Sequence, residues 1–117
     1  MATVVDEGLN RVAQIIMDDL SHAAVGTDNT AEATNDSKLG TETNRLAPTS
    51  SRRQGNQIII RTFFANGNLP TTMEEAGWFL NGSGTPDSGE MLLRALSSFT
   101  KGSQDLNLVL QLTVVRP

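Results

Sequence analysis

The run Met73-Glu74-Glu75-Ala76-Gly77-Trp78-Phe79-Leu80 holds the only Trp of the chain, and Gly, Asn, Pro and Ser clusters bracket it on both sides. Apolar runs flank it at residues 57–66 (Gln-Ile-Ile-Ile-Arg-Thr-Phe-Phe-Ala-Asn) and 91–99 (Met-Leu-Leu-Arg-Ala-Leu-Ser-Ser-Phe). Short apolar runs so punctuated predict a meander of strands with 73–80 in the middle. Side chains alternate across a strand, which puts Ala76, Trp78 and Leu80 on one face and Glu75, Gly77 and Phe79 on the other. Trp78 is assigned to the core. Gly77 marks a bulge or a close approach to the backbone, here by an aromatic ring of a neighbouring strand or subunit.

With 117 residues the chain makes one domain with a modest core. Tyr is absent while Thr, Ser, Asn and Gly are abundant, which suits strands joined by hydrogen-bonded turns. The fold expected is mostly β: a small antiparallel β-sandwich with an N-terminal α-helix (1–20), a long irregular strap and edge (21–56) and a β-meander core (57–117). A net charge of −4 without any Lys/Arg run argues against nucleic acid, which requires clustered positive charge. The chain has no Cys, hence no disulfide and no thiolate metal site. No secretory leader is expected at residues 1–20, which carry Asp6, Glu7, Asp18 and Asp19, and no apolar run reaches the length of a membrane span.

Thr3-Val4-Val5-Asp6 has the spacing of a capping box. After it, Val5, Leu9, Val12, Ile16 and Leu20 form an apolar stripe on a helix of about four turns, with Glu7, Asn10, Arg11, Gln14 and Asp18 opposite. The stripe predicts a helix folded back on its own sheet; docking on a partner chain is the other reading. From 21 to 51 the pattern dissolves into polar and small residues anchored by Val25, Leu39 and Leu46, predicting an ordered strap across the sheet, with a short edge strand near Leu39–Leu46 and a polar turn over 50–56. Residues 57–66 are apolar on both faces and predict a central strand covered on both sides. Asn66-Gly67-Asn68 reads as a tight hairpin turn with positive φ, and 81–90 as the exposed tip. In the final run, 105–116, Leu106, Leu108, Leu110, Leu112 and Val114 face one way.

No catalytic or cofactor site emerges. His22 is the only histidine and has no Gly-x-Ser-x-Gly elbow to serve. Asp28, Asn29, Thr30, Glu32 and Asp36 lack the spacing of a calcium loop and read as solvated loop polars. Glu74 and Glu75 are adjacent and point to opposite faces, so they make no carboxylate pair. Asn81-Gly82-Ser83 matches a glycosylation sequon that a polar turn produces by chance. Gly82-Ser83-Gly84 lacks the Lys and helix of a phosphate loop.

Four segments in this order carry a resemblance: Ala24-Val25-Gly26-Thr27, Asp36-Ser37-Lys38-Leu39-Gly40-Thr41-Glu42, Glu75-Ala76-Gly77-Trp78-Phe79 and Leu93-Arg94-Ala95. The series resembles a small structural module of tailed phages and related archaeal viruses, found in tail-fibre-associated and other virion surface proteins. It spans most of residues 24–117 and departs from the pattern at Glu32, Asn35 and Lys38 and in the long 82–89 tip. The resemblance implies a non-enzymatic building block of a virion, at the tail tip, fibre base or another external position, or alternatively a capsid decoration or head fibre. Such modules assemble with other virion proteins and as homo-oligomers, a trimer being favoured. The residues expected to serve structure or interface are Val5, Leu9, Val12, Ile16, Leu20, Glu75, Gly77, Trp78, Phe79 and Arg94. The alternative from another class is a host-surface glycan held by the 66–68 and 81–90 loops, although Phe99 is the one aromatic outside an apolar strand context.

Overall fold

The computed structural model describes residues 2–116. Helix α1 (Asp6–Asp19) is followed by β1 (Leu20–Gly26), β2 (Glu42–Leu46), β3 (Ser50–Gln54), β4 (Gln57–Phe64), β5 (Thr72–Leu80), β6 (Glu90–Thr100) and β7 (Leu106–Thr113). The strands form two antiparallel sheets, one of four in the order β2-β1-β5-β6 and one of three in the order β3-β4-β7. This is the expected mostly-β sandwich with an N-terminal helix and an irregular strap, which runs from Thr27 to Thr41.

The strands connect differently from a meander. β5 and β6 do form a hairpin, and β5 lies between β1 and β6, so the Trp-bearing strand is internal to its sheet. β4, however, belongs to the other sheet and pairs with β3 and β7. Asn66-Gly67-Asn68 is therefore a 3-10 turn that carries the chain between sheets, and none of the three residues has positive φ. Two strands inside the anticipated strap and its turn escape sequence patterning: β1, rich in small residues, and β3, Ser-Ser-Arg-Arg-Gln, exposed along its whole length. β3 is held by its pairing with β4, and β1 by small residues that its neighbours bury.

Between the sheets Ala23, Val25, Ala76 and Trp78 meet Ile60, Phe64 and Leu110. Trp78 is buried, as its strand face requires. β7 alternates as expected, with Leu106, Leu108, Leu110 and Leu112 inward and Asn107, Val109, Gln111 and Thr113 exposed. β4 corrects the sequence reading. Ile58, Ile60, Thr62 and Phe64 are buried, but Arg61 is exposed and Phe63 is 48% exposed, so its outer face is open to solvent.

Helix α1 packs against β3, β4 and β1, on its own domain, but with a different face inward. Leu9 and Ala13 are buried, Ile16 and Met17 are partly so, whereas Val5 is 60% and Val12 44% exposed. The cause is the junction with β1. No linker separates helix from strand: the Leu20 amide still bonds the Ile16 carbonyl while its side chain enters the core between the sheets. That fixes the rotation of the helix so that Leu9, Ala13 and Met17, four residues apart, point inward and Val12 is turned out. The capping box is not formed, because Val5 occupies the cap position and no side chain bonds there.

Candidate functional site

The outer face of the four-stranded sheet lies under the strap, and a carboxylate at its centre holds the two together. Glu75 lies in the middle of β5, where Met73 and residues 75–79 are buried, and its relative exposure is 0%. Its oxygens accept hydrogen bonds from the backbone amides of Asp28 (3.0 Å), Gly40 (2.8 Å) and Thr41 (2.9 Å), and from Nε of Arg94 (3.0 Å). A buried carboxylate is costly unless its lone pairs are satisfied, and here both ends of the strap supply the donors.

Arg94 arrives from β6. It lies opposite Gly77 in the β5–β6 register, on the same face as Glu75 and diagonal to it. Its Nη1 donates to the Thr30 carbonyl (2.9 Å) and lies 3.5 Å from Oδ2 of Asp36, and its Nη2 donates to the Asp28 carbonyl (3.4 Å). Burial opposes the guanidinium charge. The hydrogen bond and charge of Glu75, helped by Asp36 and Asp28, more than offset this and hold its pKa above the ordinary value. Asp28 and Asp36 also shape the strap directly: Asp28 accepts from the Thr30 hydroxyl (2.7 Å) and amide (2.9 Å), and Asp36 from the Ala33 amide (2.9 Å). The hydroxyl bond first, and then the amide bond, lower the Asp28 pKa.

Small residues make room for this arrangement. A Cβ on Gly77 would stand 2.9 Å from Cδ2 of Leu39 and 3.2 Å from Cε of Met91. The close neighbour of Gly77 is thus the strap's Leu39, in place of the aromatic ring expected from sequence. Leu39 is buried with Ala24 and Phe79. A Cβ on Gly26 would overlap the Thr41 carbonyl and the Glu75 carboxylate, so the end of β1 cannot carry a side chain where the strap returns.

A second fastening lies further along the same face. The Arg45 guanidinium stacks 4.5 Å from the Phe79 ring centroid and pairs with Glu42 at 2.8 Å, both side chains being almost fully buried. Its Nη1 also donates to the carbonyls of Ser83 and Ser88, each at 3.0 Å, tying down the 81–90 loop, which is exposed but anchored. His22 sits beside this pair. Burial, then the Arg45 charge, lower its pKa, with Glu42 opposing.

The structure thus brings Glu75, Gly77, Phe79 and Arg94 to one face and places Trp78 on the other, in the core. Leu9 and Leu20 are buried and Ile16 partly so, while Val5 and Val12 face outward, away from this site. Sequence reasoning missed the strap's backbone amides, Leu39 as the filler over Gly77, and Arg45. The available signal was Glu75, beside Glu74, and Arg94, each next to apolar residues of its own strand. The two loops considered for a glycan lie at opposite ends of β5, and Phe99 packs against the core while Phe63 is the exposed aromatic.

Beside the interlock a cleft of about 270 Å³ is lined by Asp28, Thr30, Asp36, Lys38, Leu39 and Arg94. Its charged groups already serve the strap: every nitrogen of the Arg94 guanidinium has a protein acceptor. Among the described residues no three His, Cys, Asp or Glu side chains converge as a metal site would require. The arrangement clamps one segment of the chain onto another. No protein-family model matches the chain, and no curated protein matches it either.

Proposed function

We propose that the chain is a non-enzymatic structural protein of a tailed virus, assembled at the tail tip, fibre base or another external position of the virion and associating with copies of itself. One observation carries the reading. The four segments behind the resemblance, successive ones separated by up to 32 residues of intervening chain, meet at a single interlock: Gly26 and Thr27 against Thr41, Gly40 and Thr41 on Glu75, Gly77 under Leu39, and Arg94 across Glu75. Charged residues buried there hold the strap, a use that suits a particle component required to stay folded outside a cell without disulfides.

The exposed apolar strip of Val5, Val12 and Ile15 on α1 adds support, since a neighbouring virion protein would cover it. Threefold assembly is what the resemblance implies for such a module. Mass spectrometry of purified particles of the virus that encodes the chain tests the assignment. The chain is expected at a fixed ratio to tail proteins; a ratio that follows heads in tailless particles would make it a decoration or head-fibre protein. Absence from particles would overturn the reading.

A further inference from the structure

A sheet edge exposes unpaired backbone N–H and C=O groups, and stable proteins block such edges with short strands, charges or bulges. Three of the four edges in this sandwich are blocked. β2 has five residues and carries the Glu42–Arg45 pair, and β3 has five residues including Arg52 and Arg53. β6 is long, but its register against β5 slips between Met73 and Glu75 and again between Trp78 and Phe79, with the extra residue on β6 each time.

β7 has none of these devices. Its eight residues, Leu-Asn-Leu-Val-Leu-Gln-Leu-Thr, contain no charge and no Pro, and its register with β4 runs from Gln57↔Thr113 to Phe64↔Leu106 without a slip. Among the described residues nothing pairs with its other side. The Val114 amide bonds the Asn56 carbonyl, so the even-numbered residues of β7 turn their backbone groups toward β4. Antiparallel alternation then aims the N–H and C=O groups of Asn107, Val109, Gln111 and Thr113 at the open edge. The inward row is unfinished as well: Leu106, Leu108 and Leu112 are only partly buried, although they belong to the inter-sheet core.

We propose that β7 pairs edge to edge, antiparallel, with β7 of a second copy, joining two three-stranded sheets into one across a two-fold axis at Leu110. The occupant follows from self-complementarity. With the axis at Leu110, Val109 of each copy faces Gln111 of the other and Asn107 faces Thr113, so every outward backbone group finds a partner and no like charges meet. Beyond the strand, Asp105 of one copy comes to the end where the other carries Arg116, whose side chain is half exposed and bonded to Val4 and Asp6. A parallel arrangement would instead stack Asp105 on Asp105. The same pairing finishes the burial of the leucine row. It supplies a surface for the self-association proposed above, two-fold in place of the threefold assembly that the resemblance implies, and rests on that part of the reading alone, which particle composition does not test.

The test is analytical ultracentrifugation of the full chain at tens of micromolar, with amide exchange read by NMR. The wild type is expected to sediment at twice the 12.6 kDa of one chain, with exchange at Asn107, Val109, Gln111 and Thr113 slowing as concentration rises. Two double variants, Val109→Glu with Gln111→Glu and Val109→Lys with Gln111→Lys, place like charges opposite one another across the axis. Both positions are exposed in the single chain, so the fold persists, as circular dichroism would check. Each variant alone is expected to dissociate at least about tenfold more readily, and an equimolar mixture to restore the dimer. A wild-type monomer, a dimer or trimer indifferent to both variants, or fast exchange at those four amides in the associated protein would overturn the proposal. Should a variant misfold, the concentration dependence of wild-type exchange decides alone.

Discussion

The outer faces of the two sheets are built from strands of similar hydrophobicity and end up in opposite states. On β5 the outward residues are Glu75, Gly77 and Phe79, and all are buried beneath the strap. On β4 the outward residues are Ile59, Arg61 and Phe63, more apolar in sum, yet Arg61 is exposed and Phe63 nearly half so. Apolar content alone therefore does not decide which face is covered. What distinguishes β5 is the means to hold a cover: a glycine that admits Leu39 and a carboxylate that binds the strap's amides at both ends.

The largest expected effect tests that contrast directly. Glu75→Ala removes the acceptor for three amides and leaves Arg94 buried without its main counter-charge, and breaking a buried pair costs about 3–5 kcal/mol. Arg61→Ala, on the bare face, should stay within about 0.5 kcal/mol. Urea denaturation measures both; equal costs would dissolve the distinction.

Gly77→Val should come next, at about 1–3 kcal/mol, because added methyl groups meet Leu39 and Met91. Combining it with Leu39→Ala sharpens the point. The two changes are expected to be non-additive by about 0.5–3 kcal/mol, the double variant being less damaged than the sum predicts. Strict additivity would mean that the strap does not rest on Gly77.

Acid should loosen one face and spare the other. Asp28 has its folded-state pKa lowered from 3.8, so its contribution is fully present above that value and is lost as pH falls below it toward the folded pKa. Amide exchange at Thr30 and its neighbours is expected to accelerate in that range before exchange in β4 does. Simultaneous acceleration in both sheets would argue that the strap has no separate stability. The smallest effect belongs to Phe63→Ser, expected to shift the midpoint little because nearly half of that ring is already in water.

Much of the sandwich was legible because its inward residues obey strand periodicity: β5, β6 and β7 emerge from their own patterns, and Trp78 was placed on the correct face. β1 was not legible. Its Ala23 and Ala24 sit opposite Trp78 and Gly77, so the strand is specified by the shape of a partner far along the chain rather than by β-branched residues of its own. β3 was hidden for the related reason that backbone pairing with β4 suffices for a polar hairpin arm closed by Gly55 at positive φ. The apolar spacing of residues 5–20 predicts the helix but not its rotation, because its facing is set by Leu20, where it becomes a strand. At the candidate site the individual letters Glu75, Gly77 and Arg94 stood out. Their common purpose did not, since it depends on main-chain amides, which every residue but proline possesses.

The pairing of β1 with β5 and of β4 with β7 also governs the order in which this protein becomes stable while it is being made. Leu20 waits for Leu80, and Gln57 waits for Thr113. Until β5 leaves the ribosome, β1 has only the five-residue β2 beside it, and until β7 follows, β4 has only the polar β3. Contacts so distant along the chain are slow to form, because the entropy of closing long loops is lost before the pairing compensates. The nascent sandwich thus stays unassembled until β7 has been made and completes the smaller sheet.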